Sequence, residues 1–247
     1  MSWRKVDLLD VRVAGIDRTR LVEQVLAWAR EGERRTITYV NAACIALATE
    51  SPTYRTLLNQ ADLVYVDGIG IVWAGRLFGF RGLYKVTGRD WIDEFCRLSE
   101  ASHLRLYLLA GKPGIAERAR QVLENRYPGL VVSGTADGYF QAKTEDQVLT
   151  EMSNDPPHVL LIGMGVPAQE NWVFKHQEQI PAIVCWCVGA LFDVVAGVEQ
   201  PVPQWLEKLG FEWLWRLKED PRGKWRRYLV GIPRFVWAVI RSRLERK

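Results

Sequence analysis

The stretch His158-Val-Leu-Leu-Ile-Gly163-Met-Gly165-Val-Pro167-Ala-Gln169-Glu170 is an unbroken apolar run that stops at a glycine-bearing turn and then becomes polar. A strand covered on both faces needs a continuous rather than an alternating apolar run, so this segment reads as a buried parallel strand. Working outward, the same pattern recurs at 36–41, 63–67, 104–110, 130–134 and 182–188, each run rich in Val, Ile or Leu and ending at or near Asn, Asp or Gly. Helix-length stretches separate these runs. Ser51-Pro52 places a capping residue before a proline at the first helical position, Thr144 with Gln147 fits a capping box, and Pro113 is expected to open a helix over 113–126. Strand alternating with helix predicts an α/β fold: an open, mostly parallel Rossmann-like sheet with helices on both faces. The strand pattern ends near residue 190, and beyond Pro201 and Pro203 the sequence reads as helical. A core over 1–197 and a C-terminal helical appendage over 198–247 are therefore expected.

The 247 residues, 48% hydrophobic and 25% charged, exclude a disordered chain, a collagen-like repeat and a disulfide-stapled miniprotein. Cys44, Cys96, Cys185 and Cys187 are scattered along the chain, which suggests reduced core thiols. Three separated histidines and no Cys/His cluster argue against a protein-built metal site. The first residues lack a signal pattern, and no run reaches the ~20 apolar residues of a spanning helix, so the chain is expected on the cytoplasmic side. The net charge of +4 hides an asymmetry: residues 205–247 hold 12 Lys and Arg against 5 Asp and Glu, leaving the rest of the chain at −3. Five tryptophans share that basic tail (Trp205, Trp213, Trp215, Trp225 and Trp237), a mixture that favours an anionic membrane surface. No nucleic-acid-reading module accompanies the charge, so a nucleic-acid partner is not expected.

In such a sheet, ligands bind beyond the carboxyl ends of the strands. The residues there are Tyr39 and Asn41, Asp67 with Gly68 and Gly70, Gly111 and Lys112, Asp137 and Tyr139, Gly163 to Glu170, and Gly189 to Asp193. Glycine turns at helix starts present backbone N–H groups that suit phosphate, although each alone is more often only a turn. Gly163 to Ala168 fits the loose dinucleotide pattern, but Cys185 to Gly189 stands where an acidic ribose ligand would be needed, which weakens a dehydrogenase reading. Gly111-Lys112 lacks the Ser/Thr of a phosphate-binding P-loop. Asp67 closes an apolar strand at the sheet edge, where partial desolvation would raise its pKa and suit it to accept a proton; as an equal alternative it caps the following helix.

Taken together the blocks resemble the WecG/TagA/CpsF family of bacterial glycosyltransferases (glycosyltransferase family 26), over residues 36–230. The blocks are Asn41, Ala61 to Gly70, Val86-Thr-Gly88, Leu108 to Gly114, Asp137-Gly-Tyr-Phe140, Gly163 to Glu170, Val188 to Asp193 and Leu209 to Leu217. The resemblance implies inverting transfer from a UDP-sugar to a polyprenyl-diphosphate-linked acceptor in envelope or exopolysaccharide assembly. Asp67 would be the general base. Backbone amides with Lys85 or Lys112 would meet the diphosphate charge without metal or other cofactor. Gln169 would hydrogen-bond the sugar, or else point to solvent from a helix start. Tyr39, Asn41, Thr87, Gly111, Asp137, Tyr139, Gly163, Gly165, Glu170 and Asp193 complete the expected substrate site, and Arg216, Arg222 and Arg226 the site for the acceptor diphosphate.

The sequence departs from the family pattern at several of these positions. Tyr39 stands where the family carries threonine, with Thr38 on the opposite strand face; Lys85 replaces an arginine, exchanging a two-pronged donor for a point charge; Gln200 to Pro203 replaces a Lys-Arg-Ala-Pro segment; and Gly223 occupies an arginine position. Over 225–240 apolar residues fall at helical spacing, Arg227, Arg234 and Arg241 recur every seven residues, and Pro233 should kink or divide the helix. The tail is expected to hold the enzyme peripherally at the inner face of the cytoplasmic membrane, with a basic helix packed on its own core as the plainer alternative. Self-association is left open. The competing functions are a nucleotide-dependent oxidoreductase and a non-catalytic membrane-associated relative.

Overall fold

A computed structural model describes residues 3–203, 205, 206 and 210–245, and residue 227 by its backbone alone. An N-terminal hairpin, β1 (Arg4–Leu8) and β2 (Val11–Gly15), precedes α1 (Arg18–Glu31). Six strands then form one all-parallel sheet: β3 (Arg35–Val40), β4 (Leu63–Val66), β5 (Arg105–Ala110), β6 (Val131–Ala136), β7 (Val159–Gly163) and β8 (Val184–Cys187), in the order β4-β3-β8-β7-β5-β6. Every one of the six coincides with an apolar run read from the sequence. The connecting helices are α2 (Ala42–Glu50), α3 (Pro52–Gln60), α4 (Ile69–Leu77), α5 (Gly88–Ala101), α6 (Ile115–Arg126), α7 (Glu145–Asn154), α8 (Ala168–Lys175) and α9 (Leu191–Val195). The tail supplies α10 (Glu212–Glu219), α11 (Pro221–Trp225), a π-helical turn (Arg226–Val230) and α12 (Gly231–Glu245).

The side chains of each strand sort onto two cores. Leu106, Leu108, Leu161 and Trp186 join α1, α5 and α6 on one face, while Tyr107, Leu109, Leu160, Cys185 and Cys187 join α7 and α8 on the other. This is the period-2 alternation of a strand covered twice. Trp91 of α5 stacks on Trp186 with ring centres 3.8 Å apart, and Phe95 meets the same indole edge-on at 5.3 Å. All four cysteines are buried and carry reduced thiols, and burial pushes Cys96 and Cys185 up to about 12. Neither of those two thiols is ionised near neutrality.

Local signals set most helix starts. Ser51 accepts from the Tyr54 N–H, and Thr144 and Gln147 form the reciprocal box anticipated for α7. Two expectations need correction. The helix expected from Pro113 begins at Ile115, because Gly114 adopts a left-handed φ of 86° at the capping position. Pro233 does not divide the tail helix at its own position. It sits in the first turn of α12, and the irregularity falls just upstream in the π turn, where the Gly231 N–H reaches back to the Arg226 carbonyl. A proline at 233 cannot donate to residue 229, so the preceding turn widens. The arginine stripe is also not purely solvated: Arg234 pairs with Glu50 of α2 at 2.7 Å, and Arg241 pairs with Glu245 and covers the Trp237 ring. The side chain of Arg227 and the start of the Leu209 block lie outside the described residues.

Trp91 and Trp186 close the centre of the larger core, so Trp91→Ala leaves a large void. We expect a loss of ~3–5 kcal/mol, read as a lower urea midpoint with an unchanged denaturant slope.

Candidate active site

A cavity of about 570 Å³ opens over the carboxyl ends of β4, β3 and β8. These strands are neighbours whose outgoing chains part, β3 leading through α2 and α3 to β4 and β8 leading to α9 and the tail. Such a parting leaves a crevice above the strand ends. Tyr39 and Asn41 reach it from β3, Asp67 from β4, Val188 and Ala190 from β8, and Glu212, Trp213 and Arg216 from α10. A short bridge between Val66 and Lys85, with the Val86 N–H bonded to the Val66 carbonyl, lays 85–87 along the sheet edge and brings Thr87 and Arg89 to the same rim.

Asp67 is half-buried, and its N–H is fixed by the Val40 carbonyl at 2.9 Å. Helix α4 begins at Ile69 with Gly68 in the capping position, one residue beyond Asp67. Asn41 caps α2: its Oδ1 accepts from the N–H groups of Ala43 and Cys44 at 3.1 and 3.2 Å. Thr87 donates both its N–H and its hydroxyl to Asp90. Lys85 is ion-paired with Glu212, with only 15% and 22% of their side chains exposed. Arg216 lies 3.4 Å from Glu199, which also holds Lys224 at 2.5 Å. Arg89 donates to the Val202 carbonyl at 3.2 Å. The tail is thus bound to the rim through groups of both signs.

Other residues singled out in the sequence are placed elsewhere. Arg222 and Arg226 are exposed and lie off the cavity, the latter over the Trp225 ring at 5.3 Å. Tyr139 and Lys112 are exposed at neighbouring strand ends. Asp137 accepts three backbone N–H bonds, from Tyr139, Gln141 and Ala142; burial opposes ionisation, but these bonds outweigh it and hold its carboxyl below the usual range. Asp193 is raised by burial and by Glu199 nearby. Gln169 and Glu170 are fully buried rather than solvent-facing. The Gln169 amide donates to Glu170 at 2.8 Å and accepts from the Gly189 N–H at 3.1 Å, while the Thr38 hydroxyl donates to Glu170 at 2.7 Å. This network supports the turn after β8. That turn passes under Tyr39, since a Cβ at Gly189 would lie 2.3 Å from the Tyr39 hydroxyl. Sequence reasoning did not single out Arg89, Glu212 or the apolar wall of α4, although Glu212 stood within the Leu209 to Leu217 block and the wall within an apolar stretch, Ile69 to Leu77, broken by Arg76.

The profile of the glycosyl transferase WecG/TagA/CpsF family matches residues 6–247. This chain belongs to that family. Relatives include the N-acetylglucosaminyldiphosphoundecaprenol N-acetyl-beta-D-mannosaminyltransferases of Staphylococcus aureus strains MW2 and COL, each 27% identical over 98% of this chain and 95% of the relative. In this WecG/TagA/CpsF member, Tyr39 leans onto Gly189, and Thr38, on the opposite strand face, turns to Glu170. Among the described residues, no group of three His, Cys, Asp or Glu side chains is placed to hold a metal ion.

Burial raises the Glu170 carboxyl above its ordinary range, and its second oxygen has no partner among the described residues. The folded chain therefore keeps a proton there that the unfolded chain releases near pH ~4.3. Wild-type stability should fall relative to Glu170→Gln as pH rises from that value toward the folded pKa, and the gap should close in acid. Urea titrations of both proteins between pH 4 and 8 measure the slope. Parallel curves would show an ionised carboxylate.

Proposed function

We propose that this chain is an inverting glycosyltransferase that moves a hexose or N-acetylhexosamine from a UDP-sugar to a polyprenyl-diphosphate-linked acceptor, in bacterial cell-envelope or exopolysaccharide synthesis. The observation that carries the reading is that one cavity combines the Asp67 carboxylate, the Arg216 guanidinium and a long apolar arm. Family membership supports it, as do the relatives named above, whose acceptor is a sugar diphosphate on undecaprenol.

In this mechanism Asp67 takes the proton of an acceptor hydroxyl. The oxygen bonds to the anomeric carbon as the bond to UDP breaks on the opposite face, and UDP leaves with the bonding electron pair. Asp67 suits this role because it stands on a rigid strand end within the cavity. The leaving diphosphate gains charge, which the glycine-turn amides and Lys85 can meet. Glu212 now holds Lys85 and Glu199 holds Arg216, so a diphosphate would replace those carboxylates as the partner of each cation. Residues 1–197 form the donor-binding and catalytic core in this reading, and 198–247 the acceptor side. Gln169 and Glu170 act indirectly, by fixing the Gly189 turn, and no metal is invoked.

No described helix is long and apolar enough to cross a membrane. Trp205, Trp225, Leu229, Trp237 and Leu244 are exposed on the basic tail, a surface suited to lie in the headgroup region of the membrane's inner face.

Asp67→Asn keeps the shape of the side chain and removes its capacity to accept a proton. Transfer should fall ~10²–10⁴-fold, while calorimetric UDP affinity stays near wild type and wild-type activity persists in chelator. Near-normal turnover in Asp67→Asn would remove the proposed base, and preference for NAD(P) over UDP-sugars would overturn the transferase reading.

The tail should bind anionic vesicles reversibly, each basic residue at the surface contributing ~1 kcal/mol. Co-sedimentation should weaken as salt screens the charges, yet persist through aromatic insertion. Equal binding by a chain lacking 205–247 would refute the membrane role of this segment.

A further inference from the structure

The apolar arm of the cavity is a groove between two helices that are far apart in sequence. Ile69, Trp73 and Leu77 of α4 line one wall, and Ile232, Val236 and Ile240 of α12 line the other. Both sets follow the same i, i+4, i+8 spacing, which puts each on one face of its helix. Phe235 and Val239 are buried and close the floor. Among the described residues, the charged lining of the cavity is Asp67, Arg89, Glu212 and Arg216, so neither α4 nor α12 brings a charge into it. Ile69 and Ile232, one on each wall, are half-buried, whereas Trp73, Leu77, Val236 and Ile240 are exposed by 47–54%. Each stripe runs along about 12 Å of helix, enough for the first few isoprene units of a chain.

We infer that this groove holds the proximal isoprene units of the acceptor's polyprenyl chain and leads the remainder out beside Trp237 to the bilayer. The inference rests on the acceptor class proposed above and adds to it a place on this chain. Continuity selects the occupant, since one cavity is polar around Asp67 and Arg216 and apolar to its mouth. An amphiphile with its reacting sugar at Asp67 and its diphosphate at Arg216 has its hydrocarbon in the groove. A bilayer acyl chain has no reason to start at a carboxylate. Burial of apolar surface supplies the affinity, and the absence of charge along both walls leaves no polar group to be desolvated without a partner.

The test is direct binding, independent of any donor. The full chain is titrated by calorimetry with isopentenyl, geranyl, farnesyl and geranylgeranyl diphosphate, each below its micellar concentration. Affinity should rise roughly 10²-fold or more from isopentenyl to farnesyl diphosphate and then level off as the groove fills. Trp73→Ala and Val236→Asp, at half-exposed positions where folding should survive, are expected to flatten that rise. Unchanged UDP binding in the same variants reports an intact fold. Affinity that ignores chain length overturns the inference, as does a rise that persists in both variants. A dimer that Val236→Asp dissociates without altering the chain-length series would assign the stripes to self-association and also overturn it. Failure of UDP to bind the wild type would instead strike the transferase reading and leave the diphosphate series to decide the groove.

Discussion

The close approach of backbone at the carboxyl edge of the sheet governs the rest of the site. Six parallel strands end on one side, so the turns that follow them must share that edge. At Gly163 a Cβ would lie 2.6 Å from the Gly189 carbonyl and 2.9 Å from the Ala110 side chain. No larger residue fits there without pushing apart the exits of β5, β7 and β8. The exit of β8 is in turn held by Gln169, braced by Glu170 and Thr38, and covered by Tyr39. The cavity floor is therefore a consequence of backbone packing, with polar side chains of α8 and β3 acting as its supports.

The second constraint is the docking of the tail. Ion pairs are its visible links, but exposed pairs such as Arg234 with Glu50 contribute only ~0–1 kcal/mol each. Burial of Tyr228, Phe235 and Val239 counts for more, at ~1.5–3 kcal/mol for each aromatic or aliphatic side chain. Apolar contact thus holds α12 on α2, with the Phe235 ring close to Gly70 of α4. The half-buried pair of Lys85 and Glu212 sets where α10 lies over the rim. That division leaves the cations of the rim able to exchange partners without undocking the tail.

Legibility in the sequence followed the physics of each element. The inner strands stood out because a strand covered on both faces is apolar along most of its length, the edge strand β6 by its Leu130-Val131-Val132 start, and the caps of α3 and α7 because their side chains bond within three residues. The hairpin of β1 and β2 did not, since its turn at Leu9 and Asp10, both at positive φ, uses neither Gly nor Asn. Its strands also carry Arg, Lys and Asp on the outer face. At the site, Asp67 and Asn41 were legible as polar ends to apolar runs. The partnership of Lys85 with Glu212 was not, because 127 positions separate them and no local pattern encodes it. The inward turn of Gln169 and Glu170 was equally hidden, for a polar pair at a helix start normally faces water.

The strand edge also sorts its carboxylates by environment. Asp137 is held ionised by three backbone N–H groups and organises its own loop. Glu170 is buried, raised by that burial, and closed off from the cavity by the network it supports. Glu212 reaches the cavity but rides on the tail and is engaged by Lys85. Asp67 alone among these four combines access to the cavity with a place on the sheet itself, its backbone fixed by Val40. A group that must accept a proton at one position during bond formation gains from standing on an element that does not move. Groups that must take up and release a diphosphate gain from the opposite, and Arg216 is on a surface helix of the tail. The proposed chemistry thus divides between a rigid strand end that holds the base and a docked appendage that meets the charge.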